Sequence, residues 1–162
     1  MSNCPRCGCE IEQKAKSKAR SVPQHRRYFA LVRAAWMHWP EGHHFCPQSE
    51  EHLRRWLQAK AGHRDVITID AGFMSAAQAV AAVAGAMRQA GPYAFISNSE
   101  TKLYVVTSKS ISFDALPHLA ACALFDAVAE VIESETGIKA DDMITHTPRR
   151  SLREPVTDGV PI

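Results

Sequence analysis

No stretch of the chain approaches the roughly 18 consecutive apolar residues that a membrane-spanning helix requires, so no membrane span is expected. Catalytic signatures are missing too. There is no Gly-x-x-x-x-Gly-Lys-Ser/Thr loop, no Gly-x-Gly-x-x-Gly, no His-Glu-x-x-His and no Gly-x-Ser-x-Gly. Enzymatic activity is therefore left without a motif to support it. The opening Met1-Ser2-Asn3-Cys4 lacks the apolar stretch of a secretory signal, and export is not expected. The five cysteines are odd in number, and Cys4, Cys7 and Cys9 fall within six residues of one another, which is a poor disulfide framework. A reducing cytoplasm is the expected setting. Internal repeats are absent, and strong net charge is absent as well, the total being +2.

What is present suits one packed domain. Of 162 residues, 46% are hydrophobic, enough for a core and too many for a disordered chain. Residues 1–20 are polar, cysteine-bearing and lysine-rich, and read as an N-terminal appendage. Ser21-Val22-Pro23-Gln24 has the form of a helix start, with a hydroxyl cap, a first-turn proline and a glutamine three residues on. Tyr28, Phe29, Val32, Ala35, Trp36 and Trp39 then recur at helical spacing until Pro40 and Gly42. A second helix is expected from Ser49 to Gly62, burying Leu53, Trp56, Leu57 and Ala61. Val66–Asp70 reads as a strand. A third helix runs from the Ser75/Gln78 cap to about Gln89, with Val80, Val83, Ala84 and Met87 inward. Tyr93–Ser97 and Leu103–Thr107 form a hairpin, and a long helix follows from Asp114 or Pro117 to Glu135. The expected fold is α+β: about four helices packed around a small, mostly antiparallel three-stranded sheet. The core spans 21–144, and 145–162 read as a flexible tail.

Charge is unevenly distributed. Lys14, Lys16, Lys18, Arg20, Arg26, Arg27 and Arg33 occur with no intervening acid, whereas Phe113 to Asp142 holds seven acids against Lys139. A basic stretch of this kind attracts phosphates irrespective of base sequence, and interleaved aromatic rings can stack on unpaired bases. For Phe29 and Trp36, which follow the helical phase, core packing is the favoured reading. Arg26 and Arg33, seven apart, share the wetter face. The seven basic residues are the candidate nucleic-acid contacts.

Cys4-Pro5-Arg6-Cys7 is half of a zinc ribbon, since a tight Cys-x-x-Cys turn aims two thiolates at one tetrahedral ion. No second Cys-x-x-Cys exists. Cys9 is the candidate third ligand of a structural zinc and Cys46 the candidate fourth, with His43 and His44 as competitors for that place. Adjacent histidines are expected to point apart, and the remaining histidines lack the i, i+4 pairing of a hydrolytic metal helix. His118 falls in the core stripe of the last helix. Asp141-Asp142 reads as a solvated pair.

The run Arg20-Ser21-Val22-Pro23-Gln24-His25-Arg26-Arg27-Tyr28-Phe29-Ala30-Leu31 resembles the Arg-Ser-x-x-Gln-x-Arg-Arg/Lys-x-aromatic-Ala pattern of NinB/Orf-type phage recombination proteins. It is more similar still to a phage family of no established activity whose helix reads His-Arg-Arg-aromatic-Phe-Ala-Leu. That second likeness extends through Trp39, through Trp56-Leu57-Gln58-Ala59-Lys60-Ala61-Gly62 and through Lys109-Ser110-Ile111-Ser112-Phe113. The resemblance implies a small phage-type protein of recombination or replication, acting in a bacterial cytoplasm. It further implies single-stranded DNA and its binding protein as partners, commonly as a homodimer. Ser21 and Gln24 would cap the helix, and Arg20, Arg26 and Arg27 would contact phosphates. The cysteine appendage is not part of either pattern. The expected function is thus non-catalytic, single-stranded nucleic-acid binding. The rival is a phage interaction module that inhibits a host defence or replication complex, using the acidic 113–142 face. A metal-dependent nuclease would need converging carboxylates that the spacing does not supply.

Overall fold

The computed structural model describes residues 2–3, 10–11, 22–112 and 115–146. The short strands β1 (Ser2–Asn3) and β2 (Glu10–Ile11) pair antiparallel within the expected appendage. Then follow helix α1 (Val22–Met37), α2 (Glu50–Lys60), strand β3 (Arg64–Asp70), α3 (Ala76–Ala90), β4 (Phe95–Asn98), β5 (Lys102–Ser108), α4 (His118–Thr136) and α5 (Ala140–His146). The fold is α+β, with five described helices instead of four. The addition is α5, which carries the helical structure two residues past the expected core boundary. Its burial of Ala140 and Met143 against α1 and α4 is what holds so short a helix.

The helix ends follow local chemistry. Ser49 accepts the His52 amide, and Ser75 with Gln78 makes a reciprocal capping box at α3. Gly137 ends α4 at φ 71°, a left-handed conformation that costs other residues energy.

The sheet has the order β3-β5-β4, antiparallel throughout, with Val105 opposite Ile67 on one side and Ile96 on the other. Its two faces meet different neighbours. Ile67, Ile69, Leu103 and Val105 alternate onto the face covered by α3 through Val83, Ala86 and Met87. From the other face Phe95 packs toward Phe45 and His52, joining the sheet to the main core of α1, α2, α4 and α5.

In α3 the expected orientation is corrected at one position. Val80, expected inward, is 69% exposed, because the helix turns the face carrying Val83, Ala86 and Met87 onto the sheet. In α1, Tyr28, Leu31, Val32, Ala34 and Ala35 are buried, while Phe29 and Trp36 pack from the rim.

Candidate functional site

A groove of about 340 Å³ opens where the N-terminal half of α1, the first turns of α2 and the segment after β5 meet. It is lined by His25, Phe29, Glu51, Arg54, Arg55, Ser110, Ile111 and Ser112. Each wall has a physical anchor. Ile111 is buried in the core, and the segment around it is tied to the end of α2 by two bonds. The Lys109 amide donates to the His63 carbonyl at 3.1 Å, and His63 Nε2 lies 3.1 Å from the Ser110 carbonyl. The Ser112 amide donates to Ser110 Oγ at 3.2 Å, which shapes the turn bearing both hydroxyls.

The floor is a polar network. Arg54 donates from Nε to Glu51 Oε2 at 2.6 Å and from Nη2 to Glu51 Oε1, while Arg55 Nε donates to Oε1 at 2.8 Å. One carboxylate thus serves two guanidiniums, leaving a local excess of positive charge. Burial pushes the Glu51 carboxyl up, but hydrogen bonds and charge from Arg54 and Arg55 outweigh it and hold the group below the usual carboxylate range. Burial likewise opposes the Arg54 charge, and Glu51 reverses that effect, keeping the guanidinium protonated more firmly than usual. Beneath them Gln58 Nε2 donates to the Tyr28 hydroxyl at 2.9 Å. Burial raises the Tyr28 hydroxyl pKa to about 12, although Arg54 and Gln58 oppose the rise, so it stays a neutral phenol. Arg54 also lies over the Phe29 ring, 5.9 Å from its centroid, and His25 meets the same ring edge-on at 4.8 Å.

The expected basic contacts divide into three groups. Lys14, Lys16, Lys18 and Arg20 lie outside the described residues, as does Ser21. Arg26 is exposed and Arg33 half-buried, and neither is ion-paired with a described acid. By helical phase both sit beside Phe29 on the flank of α1 that borders the groove. Arg27 pairs with Asp141 of α5 at the surface, its side chain remaining 66% exposed. The pair links the basic stretch to the acid-rich end of the chain, and Asp141 stays 79% exposed. Arg54 and Arg55 were not among the expected contacts. Their signal was a basic pair one helical turn beyond Glu51, inside a segment read for its apolar side.

The expected zinc ligands Cys4, Cys7 and Cys9 lie outside the described residues. Cys46 is exposed, and it does not join the donors that do converge. Those donors are His43, His44 and Glu135, whose ligand atoms all lie within 4.8 Å of one another. The adjacent histidines do not diverge as expected, their ring centroids lying 4.2 Å apart. Glu135, on the last turn of α4, meets His43 Nε2 at 2.8 Å. This hydrogen bond, aided by the nearby positive charge of Lys60, keeps the Glu135 carboxyl ionised below its ordinary range against a smaller burial effect.

Among the described residues no helix is long and apolar enough to cross a membrane. The chain matches no protein-family model, no curated protein and no solved structure.

Proposed function

We propose that the protein binds single-stranded nucleic acid through this groove, placing the strand without carrying out chemistry on it. One observation supports the reading above the rest. Arg54 and Arg55 share a single carboxylate beside two serine hydroxyls and the Phe29 ring, with Arg26 and Arg33 continuing the positive charge along α1. Guanidiniums and hydroxyls suit phosphate oxygens, and an aromatic edge within the same groove suits an unpaired base. The likeness of residues 20–31 to NinB/Orf-type proteins favours the same class of ligand, in a phage-type recombination or replication setting. Lys14, Lys16, Lys18 and Arg20 would extend the contact, and a structural zinc on Cys4, Cys7 and Cys9 would order that extension.

The test is fluorescence anisotropy of labelled single- and double-stranded oligonucleotides at rising salt. The reading requires single-strand preference and a steep loss of affinity with salt. Arg26→Ala with Arg33→Ala should weaken binding and lower the logarithmic salt slope by about 1.4, at roughly 0.7 per phosphate contact on a single strand. Absence of binding at low salt would overturn it.

A second reading, a protein-interaction module, rests on a different surface. Phe73 is fully exposed at the entry to α3, with Met74 and Val80 exposed nearby. Apolar side chains gathered at one end of an element are a common mark of a partner contact. Phe73→Ser should leave oligonucleotide affinity unchanged if the groove is the site, and a loss would transfer the function to this surface.

A further inference from the structure

The segment between α1 and α2 and the C-terminal end of α4 take no part in the groove, yet they meet through donors that suit a cation. We propose that His43, His44 and Glu135 form a binding site for one divalent transition-metal ion of the zinc class. The site has three protein ligands and a fourth position open to water or an anionic oxygen.

The donor set is two imidazoles and one carboxylate, which zinc accepts in open, three-ligand sites. Bonds of ~2.0–2.1 Å in a tetrahedron place neighbouring ligand atoms about 3.3 Å apart. His43 Nε2 and Glu135 Oε2 stand 2.8 Å apart, close to that spacing, and all three donors fall within 4.8 Å. His44 is exposed, and its ring lies 4.2 Å from the His43 ring and 6.0 Å from the Trp56 ring, centroid to centroid.

His43 is already oriented for the role. Its ring is held edge-on by Trp39 and Trp56, at centroid distances of 4.8 and 5.9 Å. Its Nδ1 lies 3.1 Å from the Phe45 carbonyl, which the Trp39 indole N–H fixes from the other side at 3.0 Å. A metal-bound histidine commonly donates its second ring N–H to a carbonyl placed in this way. Nδ1 also accepts the Phe45 amide at 3.0 Å, and Nε2 lies 2.8 Å from Glu135 Oε2.

One neighbour opposes the ion. Lys60 Nζ lies 3.7 Å from Glu135 Oε1, so its ammonium repels a cation at Oε2. This gives the proposal a signature that nonspecific histidine binding would not share: removing Lys60 should tighten the site.

The experiment is calorimetric and spectroscopic titration of the full chain with Zn²⁺ and then Co²⁺. To keep the N-terminal thiols from competing, it carries Cys4→Ser, Cys7→Ser and Cys9→Ser. One ion per chain should bind, and the cobalt spectrum should lack thiolate charge transfer, with Cys46→Ser making no difference. His44→Ala and Glu135→Gln should each lower affinity at least tenfold, and Lys60→Ala should raise it severalfold. His44→Ala should remove the same binding event from the chain with its cysteines intact, which guards against misfolding of the serine variant. Equal affinity in His44→Ala and Glu135→Gln, a thiolate band, or no binding up to millimolar metal would overturn the site.

Discussion

Replacing Glu51 by Gln should move stability and binding in opposite directions. Arg54 has a side chain only 10% exposed, and its two hydrogen bonds to Glu51 compensate its burial, whereas Glu51 itself is 38% exposed. Breaking a fully buried ion pair costs about 3–5 kcal/mol, and losing one charge-assisted hydrogen bond costs about 1.5–3 kcal/mol. The amide retains one acceptor and water reaches the outer oxygen, so the expected loss is about 2–3 kcal/mol. For a chain of this size that lowers the melting temperature by about 5–10 °C, measurable by circular dichroism. The pH dependence has a definite sign. A carboxyl whose pKa is held down on folding stabilises the fold above its unfolded pKa of about 4.3, and that stabilisation disappears as pH falls through the folded value. The gap between parent and variant should be complete at pH 6–7 and close progressively below pH 4. Binding should improve meanwhile. A unit charge about 5 Å from a phosphate in water is worth about 0.8 kcal/mol, or about fourfold in affinity at low salt. A melting temperature unchanged within 1 °C would refute the packing argument. Weaker oligonucleotide binding by a folded variant would refute the groove.

Gln58 is 0% exposed, and its Oε1 has no hydrogen-bond partner among the described residues. Tyr28→Phe should thus cost about 1–2 kcal/mol by urea unfolding, by stranding the Gln58 amide, and Gln58→Met a similar amount by stranding the Tyr28 hydroxyl, whereas the double variant should lie within about 1 kcal/mol of the parent. Gly137→Ala meets no atom within 4 Å, so its expected cost of about 1 kcal/mol comes from the left-handed backbone alone, and thermal unfolding will show it. Ile132→Ala, at a fully buried side chain, should cost about 2–5 kcal/mol by the same assay.

Much of the architecture was legible because the punctuation was strong. Ser49, the Ser75/Gln78 box, Gly91-Pro92 and Gly137 mark the ends of elements through local chemistry that distant packing does not override. The hairpin from β4 to β5 was legible for the same reason. α5 was missed because seven residues show too little periodicity, and its stability comes from contacts that Ala140 and Met143 make only in the folded chain. The groove was half legible. Arg26 and Arg33, on the flank of α1 beside it, stood out by composition, but Arg54 and Arg55 line the groove only once α2 packs beside α1, and the serines arrive from more than 50 residues away in sequence. His43 and His44 were visible as a pair. Glu135, 92 residues from His43, carried no local sign of meeting it.

The most direct test of the account is amide chemical-shift mapping by NMR during titration with a short single-stranded oligonucleotide. The groove reading predicts one contiguous perturbed surface over His25, Arg26, Phe29, Arg33, Arg54, Arg55, Ser110 and Ser112, receding as salt rises. Shifts centred on Phe73, Met74 and Val80, with the groove silent, would contradict it.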